Sequence, residues 1–237
     1  MERLGRMDVK PTSELSFTER YQRQIMLPEV GIAGQQRLAD RRVLVVGAGG
    51  LGAPILYYLV ASGVGHVGIV DFDTVSPSNL QRQILYQEKD LGKPKAITAV
   101  ERLRRLNSDC SLTAYNERFS IENAERIASG YDLIIDGCDN LATRYLMDQT
   151  AETLSIPYLY GAVSEFVGQT SLFHYKGCGG YRDLFADFDA STDGSAVGII
   201  GATAGFTGAL MASEAIKILL GLPSALAGKL FRINGLT

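Results

Sequence analysis

The stretch that decides the fold is RRVLVVGAGGLG, residues 41–52. Its apolar, β-branched run from Val43 to Val46 predicts a buried strand, the glycines after it predict a tight turn, and apolar residues at helical spacing continue to Val60. The segment HVGIVD, which ends at Asp71, predicts a second short strand. Strand, turn, helix and strand form one βαβ unit, and such crossovers are parallel and right-handed. The sequence therefore predicts a Rossmann-like α/β fold.

The rest of the chain alternates between helical and strand patterns in the same way. Helices are predicted within 17–40 and over 94–106, 121–129 and 142–154, with strands over 111–114, 133–135, 157–162, 167–174 and 229–233. We expect a mainly parallel sheet flanked by helices, in which the C-terminal strands are candidates for antiparallel pairing.

The predicted organisation is a flexible N-terminal tail over residues 1–15 and a single domain over residues 16–237. No internal repeat or low-complexity linker divides the chain. Residues 176–196 are rich in Gly and Asp and show little periodicity. A connection of this length is usually functional, and we expect a mobile loop there.

The composition excludes several classes of protein. With 237 residues, 46% of them hydrophobic, the chain has enough apolar material for one sizeable core. A net charge of −3 disfavours a nucleic-acid partner. Three widely spaced cysteines disfavour a disulfide framework and favour a cytoplasmic location. The apolar segment Val197–Leu220 is interrupted by Glu214 and Lys217, so we expect a buried helix of a soluble protein and no membrane span.

The turn after the first strand is a candidate phosphate-binding loop. Gly47, Gly49, Gly50 and Gly52 form a G-x-G-x-x-G pattern between a strand and a helix, where glycine permits close backbone approach and the helix N-terminus favours an anion. Asp71 lies about 20 residues further on, where an acid can bind ribose hydroxyls. The alternatives are a packing turn and a loop-stabilising carboxylate. Dinucleotide and ATP enzymes share these features.

The segment after Asp71 favours a triphosphate. It contains an arginine among polar residues, and Lys95 opens the next predicted helix. The candidate residues of the segment are Ser78, Asn79, Leu80, Gln81 and Arg82, followed by the amide Gln83. A guanidinium and an ammonium directed at one cleft stabilise phosphate charge during transfer. The alternative is a pair of ordinary solvated charges.

Polar residues also end the predicted strand 133–135. Asp136, Asp139 and Asn140 lie at its carboxyl end, which is where ligands gather in open parallel sheets. A carboxylate facing phosphates is suited to hold Mg²⁺. The alternative for Asp139 or Asn140 is a cap on the following helix.

Five motifs in this order resemble the E1-like ThiF/MoeB/HesA superfamily. They are RYQRQIMLPEVGIAGQQRL (20–38), GAGGLG, DFDTVSPSNLQRQ, GKPKA and DGCDN. Within that superfamily the chain is similar to bacterial enzymes that adenylate a ubiquitin-like sulfur-carrier protein for thiamine thiazole or molybdopterin synthesis. The resemblance covers about residues 17–233. It implies ATP and Mg as cofactors and a carrier ending in Gly-Gly as partner.

The resemblance also implies roles for individual residues. Its nucleotide site corresponds here to Gly50, Asp71, Asn79, Arg82, Lys95 and Asp139. Asp71 is expected to bind ribose, Arg82 and Lys95 to stabilise phosphate charge, and Asp139 to hold Mg²⁺. Arg23 matches an arginine that reaches the ATP of the neighbouring subunit. The implied catalytic set is Arg23, Arg82, Lys95 and Asp139, in a homodimer with shared active sites.

The chain departs from this family in its cysteines. Many relatives hold zinc with two Cys-x-x-Cys pairs, but the first pair falls here on Gly180 and Asp183 and the second has no counterpart. A tetrahedral site needs four ligands, so we expect no zinc. The position of a covalent loop cysteine falls near Gly194, which predicts an external persulfide as sulfur donor. Cys178, at the start of the loop, is the one candidate substitute.

The remaining cysteines and histidines are expected to be structural. Cys138 lies between Gly137 and Asp139, and acidic neighbours raise a thiol pKa, so packing is its expected role. His66 is expected in a turn before a strand, and His174 is expected to belong to a strand. Neither histidine lies in a motif.

The preferred reading is therefore a nucleotidyltransferase that adenylates a sulfur carrier, with the thiamine branch ahead of the molybdopterin branch. Adenylation of another carboxylate is a second possibility. An NAD-dependent oxidoreductase is supported by the glycine loop and Asp71, but Arg82, Lys95 and Asp139 argue against it. A non-catalytic scaffold is the third alternative.

Overall fold

The computed structural model of the chain describes residues 16–185 and 198–237. Within these residues, seven strands form one sheet in the order β3-β2-β1-β4-β5-β6-β7. The strands are β1 (Arg42–Val46), β2 (His66–Val70), β3 (Ser111–Tyr115), β4 (Leu133–Asp136), β5 (Tyr158–Ser164), β6 (Val167–Phe173) and β7 (Phe231–Asn234). The helices are α1 (Phe17–Ile25), α2 (Gly31–Ala39), α3 (Gly52–Ala61), α4 (Lys95–Leu106), α5 (Ala124–Ala128), α6 (Leu141–Leu154), α7 (Tyr181–Leu184) and α8 (Gly201–Leu220).

The sheet is mixed, with a parallel part and an antiparallel C-terminal part. Strands β3, β2, β1, β4 and β5 are parallel. Strand β6 is antiparallel to β5, and β7 is antiparallel to β6. Both expectations for the fold, a mainly parallel sheet and antiparallel last strands, are confirmed. Because β7 runs in the same direction as β5, its carboxyl end lies at the same edge of the sheet as the ends of the parallel strands.

Helices cover both faces of the sheet, as the alternation along β1 shows. Val43 and Val45 point to one face and pack in a cluster with Leu59 of α3. Leu44 points to the other face and packs in a second cluster with Met147 of α6. Successive residues of a strand face opposite sides, so a strand buried on both sides reads as a continuous apolar run. This explains why residues 43–46 are apolar throughout.

Helix α8 is the buried helix predicted near the C-terminus. Its 20 residues are long and apolar enough by composition to cross a membrane, but 61% of its most apolar window is buried within the fold. The helix packs against α3, where a side chain at Gly208 would overlap Pro54 and the carbonyl of Leu51. The two charged residues that interrupt the apolar run, Glu214 and Lys217, pair with each other at 2.7 Å.

Some predicted elements differ in the structure. The prediction that His174 belongs to a strand is wrong: β6 ends at Phe173, and His174 turns the chain with φ 52°. Its Nε2 lies 2.7 Å from a carboxylate oxygen of Asp148 on α6, which fixes the turn. The segment expected to be an irregular loop contains the short helix α7. The predicted tail over 1–15, and residues 186–196 of the predicted loop, lie outside the described residues.

Candidate functional site

The carboxyl-end edge of the sheet holds a cavity of about 630 Å³. It begins at the ends of β1 and β2 and continues past β4 to β5, β6 and β7. Of the predicted site residues it brings together Gly47, Gly49, Gly50, Asp71, Arg82, Lys95, Asp139 and Asn140. These residues come from distant parts of the chain and meet because parallel strands end at one edge.

The glycine loop is held by backbone contact. Gly47 has φ 99°, and a side chain there would overlap the carbonyl group of Gly137 at the end of β4. A side chain at Gly52 would overlap the carbonyl oxygen of Gly47. Gly49 and Gly50 line the cavity, whereas Gly52 is the first residue of α3 and does not line it. Three predicted binding glycines, Gly47, Gly49 and Gly50, thus line the ligand space, and Gly52 closes the turn.

Asp71 both braces the loop and faces the cavity. Its carboxylate accepts hydrogen bonds from the backbone N–H of Ala48 at 2.8 Å and of Asp73 at 2.9 Å. Burial raises the pKa of Asp71, although the Ala48 N–H and the charge of Lys95 oppose that shift. The alternative role of Asp71, a loop-stabilising carboxylate, is therefore present. Asp71 also lines the cavity, so a ribose contact stays a prediction for the same residue.

Lys95 is buried rather than solvated. Its side chain is 6% exposed, and its Nζ lies 3.1 Å from a carboxylate oxygen of Asp73, which is 51% exposed. Lys95 is the first residue of α4, so its ammonium and the positive end of the helix dipole act together. Arg82 lines the cavity and donates from Nη1 to the Ser78 carbonyl at 2.9 Å. Both cations therefore face one space.

Besides Gly52, four predicted nucleotide-binding residues are not brought to the cavity, namely Ser78, Asn79, Leu80 and Gln81. Asn79 is buried, and its carboxamide oxygen accepts the backbone N–H of Ser76 at 3.1 Å within its own turn. The turn thereby fixes the segment that carries Arg82. The neighbouring amide Gln83, which is not among the predicted binding residues, lines the cavity. Its Oε1 is buried and has no hydrogen-bond partner among the described residues.

At the end of β4, the three polar residues take three different positions. Asp136 is fully buried and does not line the cavity. Asn140 caps α6 by accepting the backbone N–H of Thr143 at 2.9 Å. Asp139 is exposed and lines the cavity. The helix-cap alternative therefore holds for Asn140, and Asp139 is the carboxylate available to a divalent cation.

Arg144 of α6 is a site residue that the sequence did not reveal. Its Nε lies 3.1 Å from Asp136, and its Nη2 donates to the carbonyl of Cys138 at 3.2 Å. Tyr158 donates its hydroxyl to the same Asp136 carboxylate at 3.2 Å. This network fixes the backbone that carries Asp139. The available signal was an arginine on the predicted helix 142–154, eight residues after the strand-end Asp136.

Other cavity residues were also missed. Arg118 places its guanidinium carbon 4.0 Å from the ring centroid of Phe72, at the ends of β3 and β2. Arg232 of β7 lines the far end of the cavity. Arg23, expected at the ATP of a neighbouring subunit, is exposed on α1 and does not line the cavity of its own chain.

The cysteines occupy packing environments. Burial, and after it the charge of Asp136, raise the pKa of Cys138 well above its usual range, in the direction predicted. The Sγ of Cys178 donates to the carbonyl of Leu172 at 3.4 Å. Where relatives are expected to carry a cysteine pair, the Gly180 N–H donates to Asp183 at 2.7 Å and caps α7. The position near Gly194 lies outside the described residues.

The arrangement suits a nucleoside triphosphate with a divalent cation. A glycine loop, a helix N-terminus and two cations face the phosphate space, and the exposed carboxylate of Asp139 lines the same cavity. Mg²⁺ is commonly bound by one or two carboxylates together with phosphate oxygens, and the exposed Asp139 fits that requirement. The cavity then extends beyond Asp139 to β7, which leaves room for a second, elongated substrate.

Comparison with known proteins gives a consistent result. A family model described as the ThiF family matches residues 21–237. The sulfur carrier protein adenylyltransferase of Thermus thermophilus is 45% identical over 92% of this chain and 83% of its own length. The probable molybdopterin-synthase adenylyltransferase of Porphyra purpurea is 41% identical over 95% of this chain and 60% of its length. The mouse adenylyltransferase and sulfurtransferase MOCS3 is 41% identical, and the chain spans 50% of it.

Solved structures show the same fold at low sequence identity. The crystal structure of PaaA has a TM-score of 0.79 and 21% identity, covering 93% of this chain and 81% of that one. The crystal structure of E. coli MccB has a TM-score of 0.77 and 19% identity, covering 93% and 70%. These likenesses concern the architecture of the domain.

Proposed function

The chain belongs to the ThiF family and is an adenylyltransferase that uses ATP, and from this premise we propose that it activates the C-terminal carboxylate of a ubiquitin-like sulfur-carrier protein. The observation that carries the proposal is the continuous cavity. It joins the glycine loop and two cations to a free carboxylate, and then extends along β5, β6 and β7. A nucleotide fills the first part, and an extended Gly-Gly tail fits the second.

The proposed reaction forms one P–O bond and breaks another. A carboxylate oxygen of the carrier attacks the α-phosphorus of ATP, pyrophosphate leaves, and a carrier acyl-adenylate remains. A terminal carboxyl has a pKa of about 3.5, so it is ionised at neutral pH and needs no side-chain base. Catalysis then consists of positioning and charge stabilisation.

Individual residues support this chemistry as follows. Arg82 and Lys95 stabilise the charge that develops on the phosphates, because both face the cavity beside the glycine loop. Asp139 would hold Mg²⁺, which neutralises phosphate charge when bound. Asp71 orients the ribose from the end of β2.

We propose the thiamine branch ahead of molybdopterin for the carrier, and an external persulfide as sulfur donor. The terminal persulfide sulfur attacks the acyl carbon and AMP leaves; a second thiol then cleaves the S–S bond and releases the thiocarboxylate. The absence of a cysteine at the position near Gly194 motivates an external donor. We place the reaction in the cytoplasm, because Cys110, Cys138 and Cys178 are all free thiols.

ATP–pyrophosphate exchange tests the proposed function directly. We expect exchange with a thiazole-type or a molybdopterin-type carrier, and loss of exchange when the carrier lacks its terminal glycine. Comparing the two carriers identifies the branch. Measurable binding of Mg-ATP without exchange on either carrier would contradict the proposal and point to another carboxylate substrate.

A shared active site gives a second prediction. We propose a homodimer in which Arg23 reaches the partner's nucleotide, since it is exposed and lies outside its own cavity. R23A and K95A should each be inactive on their own. After the two variants are mixed, half of the dimers should contain one subunit of each, and each such dimer has one intact site. Exchange should therefore return to about a quarter of the wild-type rate. The check is the exchange rate after the subunits of the two variants are mixed and equilibrated. R82A mixed with K95A is the matched control and should stay inactive, because both residues belong to one subunit's site.

A further inference from the structure

The part of the cavity along β5, β6 and β7 contains a row of residues that are in register across three strands. Ala162 of β5 pairs with Gln169 of β6, and Gln169 pairs with Arg232 of β7. All three line the cavity. Directly paired residues of neighbouring strands project to the same face, so the three side chains form one floor leading away from β4.

Arg232 is the free charge at the end of this row. Gln169 is already engaged, because its Nε2 donates to the hydroxyl of Tyr160 at 2.6 Å. Arg232 is exposed, and within residues 16–185 and 198–237 its guanidinium has no ion-pair or hydrogen-bond partner. Glu165, at the turn between β5 and β6, is the acid that lines this part of the cavity, and no ion pair joins it to Arg232. The guanidinium is therefore available to a ligand.

The sheet sets the distance between Arg232 and the reaction centre. Strands β4 and β7 are separated by three steps across the sheet. Neighbouring strands lie about 4.8 Å apart, so the end of β4 and Arg232 are about 14 Å apart, and an extended chain of about 3.3 Å per residue covers this in about four residues. A tail whose terminal carboxylate lies beside Asp139 thus brings an earlier residue to Arg232.

We propose that Arg232 is a specificity-determining residue that reads the charge of the carrier tail about four residues before its terminal carboxylate. This inference rests on the function proposed above and adds the partner's chemistry to it. An acidic side chain at that tail position is attracted by the guanidinium, and a basic one is repelled. The contact is partly exposed, so the effect is a preference between carriers rather than an absolute requirement.

The test uses two carriers that differ only at that tail position, one with Glu and one with Lys. With the wild-type enzyme, kcat/KM for ATP–pyrophosphate exchange should be at least about fivefold higher for the Glu carrier than for the Lys carrier. Adding 0.5 M salt should reduce this ratio, because salt screens the contact. R232E should reverse the preference, and R232K should keep it. E165Q is the matched control, and with this variant the Glu carrier should still be preferred over the Lys carrier.

Two outcomes overturn the proposal. One is an equal kcat/KM for the two carriers with the wild-type enzyme, and the other is a preference that R232E leaves unchanged. Arg232 lies on the exposed edge strand β7, so we expect R232E to fold normally. An unchanged melting temperature of the variant would show this. A failure of the proposed function itself looks different, because no carrier then supports exchange with any enzyme variant.

Discussion

Replacing Lys95 by alanine is expected to lower kcat for ATP–pyrophosphate exchange by about 10²–10³-fold, because one preorganised charge that faces the phosphates is lost. The buried position of Lys95 at the start of α4 excludes water and strengthens that charge. Stability should change little. The partner left behind, Asp73, is 51% exposed, so removal of the pair costs at most about 1 kcal/mol of unfolding free energy.

Two further variants separate charge from position. K95R keeps the charge with a different geometry and should recover only part of the rate. D73N removes the ion pair but keeps the ammonium, and should therefore keep exchange within about tenfold of wild type. Steady-state kinetics at saturating ATP, together with thermal unfolding of each variant, are the measurements. A K95A enzyme with normal kcat would remove Lys95 from the catalytic set.

Replacing Arg144 by methionine is expected to have the largest effect on stability, a loss of about 3–5 kcal/mol, because it leaves a buried charge without its partner. Asp136 is fully buried and would keep only the Tyr158 hydroxyl and the Cys138 N–H as donors. Exchange activity should also fall, since the Cys138 carbonyl beside Asp139 loses its donor. Chemical denaturation at pH 7 measures the loss. R126M is the matched control, because its pair with Glu117 is exposed on both sides and should cost less than about 1 kcal/mol.

The effect of R144M should depend on pH in a defined direction. Burial already raises the pKa of Asp136 above its usual value, and the charge of Arg144 opposes that shift. Without Arg144 the pKa rises further, so the folded variant holds a proton that the unfolded chain has released. The loss of stability should therefore be largest at neutral pH and shrink as the pH falls towards the ordinary range of aspartate. Adding D136N to R144M should recover part of the lost unfolding free energy. If the losses of the two single variants simply added in the double variant, that result would argue against a coupled Asp136–Arg144 pair.

The sequence was sufficient to predict the fold and to place many residues of the candidate site at one edge of the sheet. Parallel strands end at one edge, so Gly49, Asp71 and Asp139 could be placed together from strand order alone, and the cavity contains all three. Arg82 was predicted from its place in the segment after Asp71, and Lys95 from its place at the start of the next predicted helix. The apolar run in β1 and the βαβ pattern were enough to predict the Rossmann-like architecture.

The rest depended on contacts that a linear pattern does not contain. Asn79 is a plausible ligand by position, but its amide is used inside its own turn. Arg144 acts through Asp136, and this becomes visible only when α6 lies against β4 and β5. Arg232 faces the cavity because β7 pairs with β6 in one register, and a shift by one residue would turn it to the opposite face.

The backbone contact between the glycine loop and β4 also limits how this family member can diverge. Side chains at Gly47, Gly52 and Gly137 would each overlap the backbone of another member of the three, rather than a side chain that could be exchanged for a smaller one. Exchanging a neighbouring side chain does not relieve a clash with backbone, so we expect substitutions at these three positions to be disruptive. A laboratory that alters the specificity of this enzyme is better served by the β5–β7 side of the cavity, where side chains and not backbone set the shape.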